Sequence, residues 1–417
     1  MVVVGGGPAG LAAAWQAAQD GAAVQLFEAL ETVGGSAIWS DAITATPTAA
    51  DLARWEATAG GPNPALRRYA DRVVPDVIEA LGACGVEFET TMNPLNDGLA
   101  LVRPIKGGRG LVADLDRCTR SAGAAITTGA KVTGLSAAPE GGFVVQVGEV
   151  EHRADAVILA TGGFMADLDH VRAVLKLGAD APLLRGAPDH ADGNGILLGT
   201  ALGGVEERPG AVLLYAHGTP APGEPERALM VVDPRRGLIV TTEGEALPLL
   251  QGMRGDLGKD LAALPGGAAW LVVDALAFDR MPFFDYRRGG KIPPVALRSL
   301  GVEAPTLPAL AEALKIPPDA LLAAQSPDRP SPEKPIGAKG PFRALPLYPT
   351  TAKSLTGLVV DLDGRVLNAA GAPVPGLFAA GELTGFGDAY DGHPVDSTMV
   401  AGAILTGRAA GKQAASR

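Results

Sequence analysis

The chain opens Val2-Val3-Val4-Gly5-Gly6-Gly7-Pro8-Ala9-Gly10 and continues into Leu11-Ala12-Ala13-Ala14. An apolar β-branched run, a Gly-x-Gly-x-x-Gly turn and a helix start built from small residues form the pattern that seats a pyrophosphate on a helix N-terminus. Gly5 permits the tight turn. Gly7, next to Pro8 and Ala9, lets main-chain amides approach phosphate, and Gly10 lets the helix close onto the strand. Ala23-Val24-Gln25-Leu26-Phe27 then reads as a second strand, ending in Glu28 at the spacing expected for a ribose hydroxyl. The charge of Glu28 disfavours a 2′-phosphate at that position. A chain that begins this way is committed to an α/β dinucleotide-binding unit.

That unit does not use up the chain. With 417 residues, 47% of them hydrophobic and only 19% charged, there is core enough for two domains. Aromatics are 5% and glycines number 56, so the interior is expected to rely on small aliphatic side chains and close main-chain contacts. The net charge of -11, with no compensating basic run, argues against a general nucleic-acid or anionic-membrane binder. Cys84 and Cys118 are the only cysteines, too few for a disulfide framework, a cysteine zinc site, a four-cysteine iron-sulfur cluster or a Cys-x-x-Cys-His haem attachment. Metal ligation is not expected. The apolar opening lacks the basic stretch of a signal peptide and is consumed by the nucleotide fold. No run reaches the length of a membrane span, so a cytoplasmic location is expected.

After the first strand-helix-strand unit, Gly34-Gly35-Ser36-Ala37-Ile38-Trp39-Ser40 is a small-residue loop able to approach a flat ring system. Helical periodicity covers 71–86 and 110–122, and alternation follows at 125–128, 131–135, 142–147 and 156–159. The last of these ends in Ala160-Thr161-Gly162-Gly163. A helix is expected after Asp192-Gly193-Asn194-Gly195. From Val212 onward the texture changes to prolines and charges, with a Pro-rich loop at 325–342. A strand at 357–361 precedes Gly376-Leu377-Phe378-Ala379-Ala380-Gly381-Glu382 and a helix over 397–414. The simplest division is a nucleotide-binding domain in two segments, 1–211 and 355–417, with a second domain inserted at 212–354.

In this order the motifs resemble the fumarate reductase and succinate dehydrogenase flavoprotein family: the glycine fingerprint with Glu28, Gly34-Gly35-Ser36, Ala160-Thr161-Gly162-Gly163, the segment ending in Gly381-Glu382, and Gly407-Arg408-Ala409-Ala410-Gly411. The closing segment is most similar to soluble stand-alone members, of the tricarballylate dehydrogenase-like and ketosteroid dehydrogenase-like kind. The resemblance implies an α/β two-domain flavoprotein, with a Rossmann-like FAD-binding domain in two segments and an inserted α+β capping domain. It also implies hydride transfer between flavin N5 and a carbon α,β to a carboxylate or ketone, as a dehydrogenase or an ene-reductase. Carried over by residue, Gly5, Gly7 and Gly10 hold the pyrophosphate, Glu28 the adenosine ribose, Val132 the adenine and Glu382 a ribityl hydroxyl. The helix starting at Ser397, Thr398 and Met399 points at the flavin N1 side, where its dipole favours negative charge. Ile38-Trp39-Ser40-Asp41 lacks the histidine of covalent members, so FAD is expected without a covalent link.

In the inserted region, Tyr215-Ala216-His217-Gly218-Thr219 resembles the segment whose histidine touches a substrate carboxylate. Gly237-Leu238-Ile239-Val240-Thr241-Thr242-Glu243-Gly244, followed by Arg254, resembles the strand and turn that deliver a catalytic arginine. Such an arginine donates a proton to carbon and stabilises negative charge together. Asp233 with Arg235 or Arg236 is the corresponding proton route. Where dicarboxylate-specific members carry a histidine this chain has Lys353 or Ser354. Where they carry an arginine it has Gly392-His393-Pro394, and with that clamp missing fumarate and succinate become poor candidates. Lys353 and His393 remain available for another acid, a keto group or a hydroxyl.

Competing readings are a FAD-binding protein without turnover and a flavin monooxygenase or oxidase. A small carboxylate or ketone substrate is expected, and electrons must pass to or from a separate carrier or oxygen, because no haem or cluster motif is present.

Overall fold

The computed structural model describes residues 1–42, 44–58, 61–92, 99–207, 211–231, 234, 237–247, 256–285, 290–324, 340–385 and 397–417. They form two compact units. The first comprises Met1–Phe164, His190–Val212 and Ser354–Arg417, and the second Met165–Asp189 and Leu213–Lys353.

The first unit is built on a six-stranded sheet. Its strands are β1 (Val2–Val4), β2 (Gln25–Phe27), β3 (Ala125–Thr127), β4 (Val157–Leu159), β5 (Arg365–Leu367) and β6 (Pro373–Ala379). The spatial order is β5-β6-β4-β1-β2-β3. All neighbours run parallel except β5, which is antiparallel to β6 at the edge. The buried strands are continuous apolar runs, as a sheet covered on both faces requires. Helix α1 (Pro8–Gln19) follows β1, α2 (Gly107–Ser121) precedes β3, and α3 (Met399–Ala415) lies late in the chain. The expected strand at 357–361 is shorter than its pattern, since only Gly357–Leu358 pairs as a strand.

Helix α1 is apolar almost all round, with Leu11, Ala12, Ala13, Ala14, Trp15 and Ala17 buried, so it needs cover on more than its sheet face. That cover comes from α3. A Cβ at Gly407 would overlap the Ala9 carbonyl oxygen, and one at Gly411 the Ala13 oxygen. The guanidinium of Arg408 lies 4.6 Å over the Trp15 ring, and burial lowers its pKa from the ordinary value. The Gly407-to-Gly411 spacing therefore marks a helix crossing at main-chain contact.

Two cysteines, too few for a disulfide framework, nevertheless form one cross-link. Cys84 and Cys118 are bonded with Cα atoms 6.2 Å apart, a separation that disulfides span without backbone movement. Cys118 lies on α2, whose Thr119 hydroxyl donates to the Leu11 carbonyl at 3.1 Å.

In the second unit, antiparallel strands carry the sheet. Ala269–Asp274 pairs with Leu238–Thr241 on one side and Phe342–Ser354 on the other, and Glu224–Val231 pairs with Val212–Ala221 and Phe283–Asp285. Leu229, Val231, Leu271, Val273, Phe283 and Leu345 form a buried cluster there. Residues 165–189, assigned above to the first nucleotide-binding segment, cluster with this unit instead. The reason is main-chain pairing: the Leu184 N–H donates to the Pro349 carbonyl at 2.9 Å and the Arg185 N–H to the Glu226 carbonyl at 2.7 Å.

Candidate functional site

Helix α1 begins without a side-chain cap and with no acidic residue in its first turn, and Pro8 occupies its start. Its N-terminal amides are thus left for an external acceptor, and an anion is favoured there. The second glycine loop meets the first: the Gly34 N–H donates to the Gly6 carbonyl at 2.8 Å, and Gly34 takes φ 127°, which a side chain would oppose. A Cβ on Gly7 would meet only the Gly35 Cα, at 4.0 Å. Ser36 is exposed in the helical turn Gly35–Trp39 that follows. Gly10 has no room for a Cβ, which would overlap the Gly5 carbonyl oxygen.

Glu28 is buried directly beneath this loop. Its Oε2 accepts the Gly6 N–H at 2.6 Å and its Oε1 the Leu30 N–H at 2.8 Å. Each carboxylate oxygen keeps a further lone pair for a hydroxyl. Val132 opens the strand Val132–Ala137, and its carbonyl accepts from the Asn194 side-chain amide at 3.0 Å. Asn194 was missed as a member of this neighbourhood; its only sequence signal was its place in the Asp192-Gly193-Asn194-Gly195 turn.

At the C-terminal end of β4, the Thr161 hydroxyl is buried without a hydrogen-bond partner, and a Cβ at Gly162 would enter open space. Ala160 continues the strand, and its N–H donates to the Val4 carbonyl at 2.8 Å. After β6 the chain makes a helical turn, Gly381–Leu383. Glu382 Oε1 there accepts both the N–H and the hydroxyl of Ser354, each at 3.0 Å. Ser354 was weighed above as a substrate contact alternative to Lys353, and its bonds go to Glu382. Helix α3 starts at Met399, after a buried Thr398 and a Ser397 at φ 62°, and the Ser397 carbonyl accepts the Ala45 N–H at 2.8 Å.

An uncapped helix N-terminus for a pyrophosphate, a buried carboxylate below the glycine loop and an orphaned threonine hydroxyl are the features a flavin dinucleotide would satisfy, and the residues present fit FAD. All the cofactor-binding candidates belong to the first unit.

Of the candidates for chemistry, His217 and Lys353 belong to the second unit. His217 is buried in the strand Val212–Ala221, its ring 4.9 Å from that of Tyr215. Burial pushes its pKa down to about 4, so the imidazole is neutral at pH 7. Lys353 is half-buried near the end of Phe342–Ser354. Arg254, Asp233, Arg235, Arg236 and His393 lie outside the described residues.

A family model described as FAD binding domain matches residues 1–393. The chain is 27% identical to an NADH:fumarate oxidoreductase of Klebsiella pneumoniae, covering 100% of this chain and 48% of that protein, so it spans about half of that relative's length. It is 26% identical to a vinyl phenol reductase of Lactiplantibacillus plantarum, covering 100% of this chain and 96% of that one. Among solved structures, 3-ketosteroid Δ1-dehydrogenase from Sterolibacterium denitrificans superposes with a TM-score of 0.81 at 16% identity, covering 100% and 99% of the two chains. That likeness establishes the shared fold.

Proposed function

The chain belongs to the FAD binding domain family, with FAD as its cofactor, and from that premise we propose that it is an oxidoreductase acting on a CH–CH bond next to a carboxylate or ketone. The observation that carries the flavin-binding part of this reading is the glycine cradle at the bare N-terminus of α1, with Glu28 buried beneath it and Glu382 fixed at the far strand end. The names of the two relatives, a fumarate oxidoreductase and a vinyl phenol reductase, support carbon-carbon double bonds as the target class.

When bound, FAD supplies a hydride acceptor or donor at N5. The chain's own residues do the rest. Glu28 and the amides of α1 anchor the dinucleotide, and Glu382 orients its ribityl chain. The N-terminus of α3 favours negative charge on the ring. FAD is held without a covalent link, in keeping with Ile38-Trp39-Ser40-Asp41. His217 is neutral, and so binds a substrate oxygen as a hydrogen-bonding group rather than as a cation. Arg254 transfers the proton at carbon, with Asp233 relaying it, and Lys353 and His393 grip the activating carbonyl or carboxylate.

Among the described residues no helix is long and apolar enough to cross a membrane. A cytoplasmic setting and a separate electron carrier or oxygen complete the reading. In the cytoplasm the Cys84–Cys118 pair would be held as thiols, so a disulfide persisting under thiol-trapping lysis would instead place the chain in an oxidising compartment. The deciding experiment is anaerobic absorbance of the purified protein with candidate acids, enones and saturated ketones, before and after dithionite reduction. Bleaching by a saturated compound makes it a dehydrogenase, and recolouring of reduced flavin by an unsaturated one a reductase. Indifference to the whole panel would favour a FAD-binding protein without turnover.

A further inference from the structure

We propose that Ser354 is a positioning residue for the cofactor, holding the Glu382 carboxylate in the one orientation that receives the flavin dinucleotide; this rests on the assignment of Glu382 to FAD. Both residues belong to the first unit. A glutamate side chain has three rotatable bonds, and left to itself it would lose that freedom only on binding. Here the freedom is already removed. Two donors of one residue, the Ser354 N–H and hydroxyl, converge on the same oxygen, Oε1, at 3.0 Å each, which fixes both the place and the tilt of the carboxylate. Ser354 has no exposed surface, so water does not compete for these bonds.

The surroundings are shaped to the same end. A Cβ at Gly163 would overlap the Ser354 hydroxyl and press on the Glu382 carboxylate, so the bare backbone at 163 makes room for the pair. The turn that carries Glu382 is held independently. The Gly381 N–H donates to the Thr406 hydroxyl at 3.0 Å from within α3, and the Thr384 hydroxyl donates back to the Gly381 carbonyl at 2.8 Å. Gly357, three residues beyond Ser354, packs on the Leu383 carbonyl with no space for a side chain. With the turn fixed by Thr406 and Thr384, the contribution of Ser354 is specific to the carboxylate.

The test is a double-mutant cycle on FAD affinity, read as the dissociation constant from flavin fluorescence on the apoprotein, with Ser354→Ala, Glu382→Gln and the two combined. Removing one hydrogen bond to a charged group is expected to weaken FAD binding by about tenfold or more in Ser354→Ala. The double variant should be no weaker than Glu382→Gln alone, and Ser354→Thr, which keeps the hydroxyl, should restore wild-type affinity. Far-UV circular dichroism of each apoprotein checks that the variants are folded, and Gly163→Ala should repeat the loss if Ser354→Ala does not fold. Multiplicative losses, or wild-type affinity in Ser354→Ala, would overturn the positioning role while leaving Glu382 a cofactor contact. Unchanged affinity in Glu382→Gln would overturn the assignment of Glu382 and the proposal with it.

Discussion

The Cα of Gly407 lies against the main-chain carbonyl of Ala9, so close that a Cβ would overlap the oxygen. One helix thus rests on the very turn proposed to receive the pyrophosphate, and α3 acts as a support for α1. Gly407→Ala is expected to lower stability by about 1–3 kcal/mol through overpacking, and to weaken FAD retention because the strain falls on Ala9. Urea midpoints and flavin content of the purified variant check both effects. Gly82→Ala, at an exposed helical position with open space around it and no left-handed backbone to oppose a side chain, controls for loss of a glycine elsewhere.

Glu28 accepts two main-chain N–H groups from within the fold. Glu28→Ala removes both acceptors and the proposed ribose contact, and should raise the FAD dissociation constant by about 10–100-fold, the effect of one lost charge-assisted hydrogen bond. Unchanged flavin occupancy would count against the dinucleotide reading at this position.

The His217 imidazole is neutral in the fold, and its pKa of about 4 lies below the unfolded value of 6.5. Between those values the unfolded chain binds the extra proton, so stability is complete above pH 6.5 and declines as pH falls toward 4. The loss amounts to about 3 kcal/mol at its limit. Comparing urea midpoints at pH 7 and pH 4.5 for the wild type and His217→Gln isolates this contribution. Equal slopes in the two proteins would show that His217 does not carry it.

Cys84 and Cys118 close a loop with a sequence separation of 34. The chain-entropy cost of an open loop of this size corresponds to about 4 kcal/mol. In protein purified under oxidising conditions, thiol titration after denaturation should find none before reduction and two after it. Dithiothreitol should lower the melting temperature of the wild type and leave that of Cys84→Ser unmoved.

Arg254→Ala should retain FAD and lose turnover by orders of magnitude, because it removes the group proposed to deliver the proton and to stabilise negative charge at the same carbon. Full turnover in that variant would remove Arg254 from the proton step.

The parts of the fold written in local sequence were legible. The glycine turn, Glu28 and the strand at Val157–Leu159 are fixed by residue type and short-range periodicity, and the sheet assembles them in register. What pattern could not carry were relations between distant positions. Residues 165–189 follow a nucleotide-binding strand in sequence but are claimed by main-chain pairing with Pro349 and Glu226. The bond from Ser354 to Glu382 joins residues 28 apart whose meeting depends on the turn after β6. Likewise the Gly407-to-Gly411 spacing was noticed as a motif, but its meaning lay in the carbonyls of Ala9 and Ala13.

The sheet order of the first unit bears on how the protein is made. Strand β4 lies between β1, formed at the start of the chain, and β6, which follows the whole second unit. Helix α1 waits longer still, for α3. During synthesis the second unit can fold while the first remains an unfinished sheet with an open strand edge and a bare apolar helix. Such a nascent chain is slow to complete and exposed to aggregation until its final stretch emerges. Yield in a host should therefore depend on chaperone supply and on translation rate over the last segment, even for variants whose finished structures are equally stable.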